Sequence, residues 1–287
     1  MHVHSWYSGM CLPPPFRGLC RESYSQPEDV YHRLKRRGMD LVTLTDHDSI
    51  EGADELRRYP DFFTSVEVTC TLPSGDAIHA GVYDVSERQH AEIQRRRDDF
   101  PALVAYLREQ GLFFSLHHFF SGLTGARKRE DFASCGFAFP AVETRNGHML
   151  PGSNGQAARY ARRLRKRRVG GSDAHTLASA GTAYTWVPGA RDKHEFLQGL
   201  RRGRARVCGG CGSYFKLTRD AFLITGAMMR ERPWTATLAP FLAILPAATF
   251  VNYAYELVFT RYWRSRWEPF AKSPLRCAGT APQESWA

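Results

Sequence analysis

The sequence predicts an α/β fold built on a parallel sheet, closed or open, and three observations predict it. Short apolar runs alternate with amphipathic stretches over the first two-thirds of the chain. Most of the His, Asp and Glu residues near those runs sit at their C-terminal ends, where a right-handed βα barrel gathers its active site. The 287 residues, 43% of them hydrophobic, suffice for one such barrel or for two ordinary domains and exclude wholesale disorder.

Each element has its own signal. PEDVYHRLKRRG reads as a helix, with Pro27 near its first turn and Gly38 as its stop. MDLVTLT reads as a buried strand, and FFTSVEVT and AIHAGVY as two more. The stretch from SERQHAEIQRRRDDF to LVAYLREQG is a long helical region interrupted by Pro101. LFFSLHH, PAVETRN and RVGGSDAH are later strands. Between the last two, SNGQAARYARRLRKRR is a helix with Ala157, Ala158, Ala161 and Leu164 on one face.

The opening MHVHSWYS puts His2 and His4 on one side of a strand, where two imidazoles can share a metal ion. The plain alternative is a surface strand with solvated histidines. A strand delivering both is expected to have several residues before it, which implies a start upstream of Met1. The company these histidines keep favours the metal. Asp46–His47–Asp48, Glu67, His79, His117–His118, Glu143, Asp173 and His175 line the same expected rim. Imidazoles with carboxylates suit zinc, iron or manganese, whereas calcium takes oxygen ligands throughout. A carboxylate such as Glu67 can bridge two ions about 3.5–4 Å apart.

Other polar residues carry competing roles. Asp46 is an N-cap or a group that orients an imidazole. Asp48 and Glu51 are capping residues. Glu143 and Asn146 touch substrate or support the ligands, while Asn146-Gly147 is equally a turn signal. Arg145 is the phosphate clamp, because a guanidinium fork matches phosphate oxygens. His32, His90, His148 and His194 read as surface histidines.

The net charge of +10 and pI of about 9.4 suit an anionic partner: phosphate, nucleic acid or an acidic membrane surface. RRLRKRR reads as a solvated helix face, and nucleic acid is the minor reading because no aromatic residues interleave for stacking. Seven cysteines, at 11, 20, 70, 135, 208, 211 and 277, form no disulfide framework, and no signal peptide is expected before His2. A reducing cytoplasm is the expected setting. Cys208-Gly-Gly-Cys211 has zinc-site spacing without a second pair, so these thiols read as structural.

The tail differs in composition. Pro233 to Tyr255 carries no charged residue, and at about 1.5 Å per residue one helix of that length crosses a bilayer core of about 30 Å. Trp234 at one end, and Tyr253, Tyr255, Tyr262 and Trp263 at the other, resemble interfacial belts. Arg230, Arg232, Arg261, Arg264 and Arg266 flank both ends, and Pro240 and Pro246 interrupt the run. A single span, a re-entrant or in-plane hairpin, and a soluble hairpin packed on the barrel or on a second copy all compete. Association with the inner face of a membrane through residues 233–263 is the expectation, to be tested by deleting residues 230–287.

In this order and spacing, HVHSWYS, TLTDHDSIEG, VEVT, AIHAGVY, SLHHFF and GGSDAH resemble the polymerase and histidinol phosphatase (PHP) family over roughly residues 1–215. The resemblance implies a distorted (β/α)7 barrel, here with a short hydrophobic helical C-terminal segment over 216–287. It implies a metal-dependent phosphoesterase with two or three divalent ions (Mn, Zn or Fe) and a small phosphorylated substrate. Carried over by motif, His2, His4, Glu67 and Asp173 hold the first ion. Glu67, His79 and His118 hold the second, with His117 as the alternative to His118. His47 and His175 serve a third ion or face the phosphate, and Asp46, Arg145 and His175 are the catalytic candidates. Two departures stand out: Gly9 replaces the last acid of the HSxxSD pattern, and HF replaces His-Pro. The rivals are a two-metal hydrolase of a non-phosphate bond, such as an amide, and a catalytically inactive metal-holding module docked on a membrane.

Overall fold

The structure, a computed structural model, describes residues 1–11 and 18–270; Cys277 lies outside the described residues. Five strands form one sheet in the order β1 (Ser65–Thr71), β2 (Ala77–Tyr83), β3 (Phe113–Leu116), β4 (Ala141–Asn146) and β5 (Arg167–Gly171). The helices are α1 (Pro27–Arg36), α2 (Glu51–Asp54), α3 (Glu87–Arg96), α4 (Phe100–Glu109), α5 (Arg129–Ala138), α6 (Pro151–Arg163) and α7 (Lys193–Arg201). A two-stranded antiparallel sheet, β6 (Ala183–Trp186) with β7 (Arg206–Gly209), leans on β5, where Thr185 Oγ1 meets Gly170. This is a mixed α/β fold.

The sheet corrects the expectation of uniformly parallel strands. β3, β4 and β5 are parallel neighbours, but β2 runs antiparallel to both β1 and β3. The Pro73-Ser74-Gly75 turn explains the reversal: Leu72 and Asp76 close it, and Gly75 takes φ +86°. So short a connection permits a hairpin and forbids a crossover. The reversal keeps His79 on the expected rim, since the start of β2 faces the end of β1 and His79 pairs with Thr69.

Beyond the edges, single bridges replace two expected strands. Val3 pairs with Ala174, and Thr45 N bonds Val3 O. MDLVTLT contributes only the Val42–Phe62 and neighbouring His47–Glu67 bridges, all parallel. Buried Thr43 and Thr45 turn their hydroxyls onto backbone carbonyls, and Asp46 claims Ser5 N, so side chains displace part of the ladder.

Two helices also differ from expectation. Pro101 sits in the first turn of α4, capped by Asp99, so it starts a helix instead of interrupting one. α6 ends at Arg163, because Arg165 turns to φ +54° and Arg167 already belongs to β5.

The C-terminal elements are α8 (Tyr214–Glu231), a 3-10 stretch (Pro233–Ile244) and α9 (Leu245–Trp263). They are tied to the rest. Trp263 and Trp267 join the main core with Phe120, Phe132 and Tyr160. Asp220 of α8 accepts from Thr176 and Ser179, and Glu256 of α9 accepts from Ser121, Gly122 and Leu123.

Candidate metal centre

Four donors from three segments meet at the rim. His2 Nε2 lies 3.1 Å from His4 Nε2, 3.0 Å from Glu67 Oε2 and 3.3 Å from Asp173 Oδ1. His4 Nε2 lies 3.2 Å from each of the same two oxygens. An ion 2.0–2.1 Å from four tetrahedral ligands places neighbouring ligand atoms roughly 3.3–3.4 Å apart, so these spacings are close to those of a zinc-type site.

The far sides of the two imidazoles are committed. His2 Nδ1 pairs with Glu143 Oε1 at 2.9 Å, and His4 Nδ1 with Ser8 Oγ at 2.9 Å. Ser8 Oγ donates to Asp46 Oδ1 at 2.7 Å, so the hydroxyl accepts from His4. With both Nδ1 atoms carrying the proton, both Nε2 atoms turn lone pairs on the two carboxylate oxygens. All four groups are buried. Four acceptors around one point fit a divalent cation.

The second oxygen of Glu67 faces another group. Oε1 is 3.0 Å from His118 Nε2, 2.8 Å from His117 Nδ1 and 3.6 Å from His79 Nδ1. His79 Nδ1 is buried with no hydrogen-bond partner, as a ligand atom awaiting an ion is. His117 is engaged on both nitrogens, because Nε2 meets Tyr83 OH at 2.9 Å. A third set joins His4, His47 and His175, which stack with ring centroids 4.6 and 4.3 Å from His4.

Backbone geometry aims these side chains. His118 (φ +23°) and Asp173 (φ +47°) turn left-handed just past β3 and β5, which redirects the chain at the rim. Asn146 Nδ2 bridges Glu143 Oε2 and Asp173 Oδ2 at 2.8 and 3.0 Å.

Electrostatics follow from burial and pairing. Burial opposes ionisation of Glu67 and Asp173, yet the surrounding histidines hold both carboxyls well below the usual range. Burial also works against charge on His4, but Asp173 and Glu67 raise it to about 9. Burial and the neighbouring imidazoles hold His117 down at about 4 and His175 at about 3.

The structure thus brings His2, His4, His47, Glu67, His79, His118, Asp173 and His175 together. Asp46 sits behind them, gripping Ser5 N, Ser5 Oγ and Ser8 Oγ. Arg145 does not join: its guanidinium donates to Cys211 Sγ at 3.0 Å. The register shift between Glu143 and Arg145 accounts for this, since it breaks the alternation that would have put both on one face.

Three contributors escaped the sequence reading. Glu22 Oε2 stands 3.1 Å from His47 Nε2 without a hydrogen bond between them, and burial raises its carboxyl to about 7. It arrives on a return segment, with Met10 bridged to Arg21 and Glu22 N on Gly9 O, and no spacing rule marks it. Ser8 had a signal, standing four residues after His4. His148, expected on the surface, has its ring 6.0 Å from that of His175.

Comparison with known proteins agrees with this picture. A family model described as PHP-associated matches residues 151–205, which include Asp173 and His175. No curated protein matches the chain. A two-domain protein from Bacteroides vulgatus containing a predicted PHP-like metal-dependent phosphoesterase superposes with a TM-score of 0.55 at 15% identity. That match covers 78% of this chain and 69% of the other. PsfC from Pseudomonas syringae gives a TM-score of 0.55 at 17% identity over 80% of this chain and 96% of its own. At these identities the likeness is one of fold. With a PHP-associated segment, a shared fold and a rim of histidine and acidic donors, the chain resembles the PHP-like metal-dependent phosphoesterases.

Proposed function

We propose that the chain is a metal-dependent phosphoesterase acting on a small phosphate mono- or diester. One observation carries the reading: the His2 and His4 Nε2 atoms lie 3.1 Å apart and each lies 3.0–3.3 Å from the same two buried carboxylate oxygens, with both imidazoles held from behind. Supporting it, bridges at Val3, Val42 and His47 prolong the sheet past both edges, as a distorted (β/α)7 barrel requires.

The ion assignment follows the donors. His2, His4, Glu67 and Asp173 would hold one divalent ion, and Glu67, His79 and His118 a second. His117, occupied by Tyr83 and Glu67, orients the shared carboxylate. Glu22 supplies, with His47 and His175, the carboxylate missing at Gly9, so a third ion has its own donors. When bound, such ions polarise a phosphoryl oxygen and lower the pKa of water toward neutrality.

The chain's residues do the rest. Asp46 fixes Ser8, and Ser8 fixes the His4 tautomer. Glu143 does the same for His2 and is itself held by Asn146. His47, His79 and His175 are the accessible members, each about one-fifth exposed, so substrate meets this side of the rim. His175 stays neutral at physiological pH, so it would offer a ring lone pair to the third ion.

The test is metal content on protein purified without chelators, together with turnover of a phosphomonoester and phosphodiester panel in manganese or zinc. Two or three equivalents per chain, with turnover abolished by Glu67→Ala, support the reading. Less than one equivalent after reconstitution overturns it. Full loading with cleavage of amides and no phosphate ester transfers the same machinery to another bond.

A further inference from the structure

Two sequence features remain outside the metal centre, the apolar tail and the basic run, and the fold brings them side by side. The inner face of α9 carries Glu256, Thr260, Trp263 and, one turn beyond, Trp267, all buried. The outer face carries Val251, Tyr255, Val258 and Tyr262 at helical spacing, each 49–65% exposed. The outer face is thus apolar where a helix of a water-soluble domain is polar.

Charge gathers at one end of this stripe. Arg261, Arg264 and Arg266 close the helix, and Arg266 lies over the Tyr262 ring at 4.0 Å. Arg159 donates to Arg264 O at 3.0 Å, and Arg159, Arg162, Arg163, Arg165 and Glu268 line an open cleft beside it. Four arginines against one carboxylate make this cleft a seat for anions.

We propose that the outer face of α9 and the adjoining arginine cleft form one docking surface for an anionic lipid bilayer, with α9 lying in the plane of the interface. The apolar stripe enters the acyl boundary while the arginines reach headgroup phosphates, a pairing that needs both parts. Spanning is disfavoured by the inner face. Glu256 holds three groups of the 121–123 loop, Thr260 meets Ser153 at 3.0 Å, and Trp267 Nε1 donates to Gln156 at 3.1 Å. A crossing helix would have to surrender these contacts. For the same reason deletion of residues 230–287 is a poor probe, since it strips the main core of Trp263 and Trp267.

The experiment uses the full chain, loaded with metal, and co-sedimentation with vesicles of phosphatidylcholine alone or with added phosphatidylglycerol. Binding to the anionic vesicles is expected, falling about a hundredfold in an Arg162→Ser, Arg163→Ser, Arg165→Ser variant at about one tenfold step or less per arginine. A Val251→Ser, Val258→Ser variant loses binding to the same vesicles. Both variants touch only exposed groups, so melting temperature and turnover of a soluble phosphate ester stay unchanged. Failure to sediment, or equal binding to neutral vesicles, overturns the proposal. So does a dimer abolished by the valine changes without vesicle binding, or retention of duplex DNA in place of vesicles. The vesicle-binding, dimer and DNA readouts do not depend on the catalytic reading, and only the turnover control does.

Discussion

Glu256 Oε1 lies 2.7 Å from Gly122 N, so a carboxylate on α9 fastens the loop that starts at His117 and His118. Asp220 of α8 does the same for the loop after His175, through Thr176 and Ser179. The tail is therefore a brace for two rim loops. Glu256→Ala strands the amides of Gly122 and Leu123, at about 1–3 kcal/mol for each buried group left unpaired. A melting temperature lower by about 4–8 °C is expected for about 2 kcal/mol in a chain of this size. Glu256→Gln keeps the acceptor and most of the stability. Thermal scans with hydrogen exchange at residues 121–123 decide it; unaltered exchange in the alanine variant would refute the brace.

Ser8 offers a cleaner probe of the metal centre, because it touches His4 Nδ1 without reaching the ion's position. Ser8→Ala frees the imidazole to change tautomer and tilt. A loss of about 10–100-fold in metal affinity is expected, the usual range for a group that orients a ligand. Competition against a fluorescent chelator measures it, and an unchanged affinity would mean that Ser8 serves the Trp6–Ser8 turn alone.

Glu22→Gln bears on the third ion. The substitution removes the charge beside His47 while leaving His2, His4, Glu67, His79, His118 and Asp173 in place. Metal content per chain should drop by one equivalent with the remaining ions retained. Identical content in both proteins would leave Glu22 a mere neighbour of His47.

The chelated protein should respond to pH in a particular direction. His4 is raised from 6.5 to about 9 because, against burial, Asp173 and Glu67 favour its charged form. Its contribution to stability is whole below about 6.5 and disappears as the pH rises through about 9. The melting temperature of chelated protein should fall across that window. Metal-loaded protein should not follow, since the ion supplies the positive charge. Parallel scans at pH 6.5, 8 and 9.5 test this; matching curves for the two forms would discount the pairing.

Much of this was legible in the sequence, and the exceptions are physical. The donors were legible because strand ends project them with period two, and because His2, Glu67 and Asp173 stand in motifs. The direction of β2 hid in a three-residue turn that a βα rhythm passes over. Arg145 missed its expected place through a one-residue register shift, which no periodicity reveals. Glu22 was illegible for another reason: it depends on which segment folds back across the mouth. Gly81 in AIHAGVY was equally silent, and only the structure shows that a methyl group there would come within 2.2 Å of His117 Nε2.

The position of Glu67 has a consequence for how the centre fills. One carboxylate lends Oε2 to the His2–His4–Asp173 set and Oε1 to the His79–His118 set. Under the proposed two-ion reading, the first ion to arrive would fix the torsion of this shared carboxylate for the second, so occupancy at one position would alter affinity at the other. Loading is then a linked equilibrium, with the same coupling in either order of addition. Metal release would then depart from two independent steps as free metal becomes scarce.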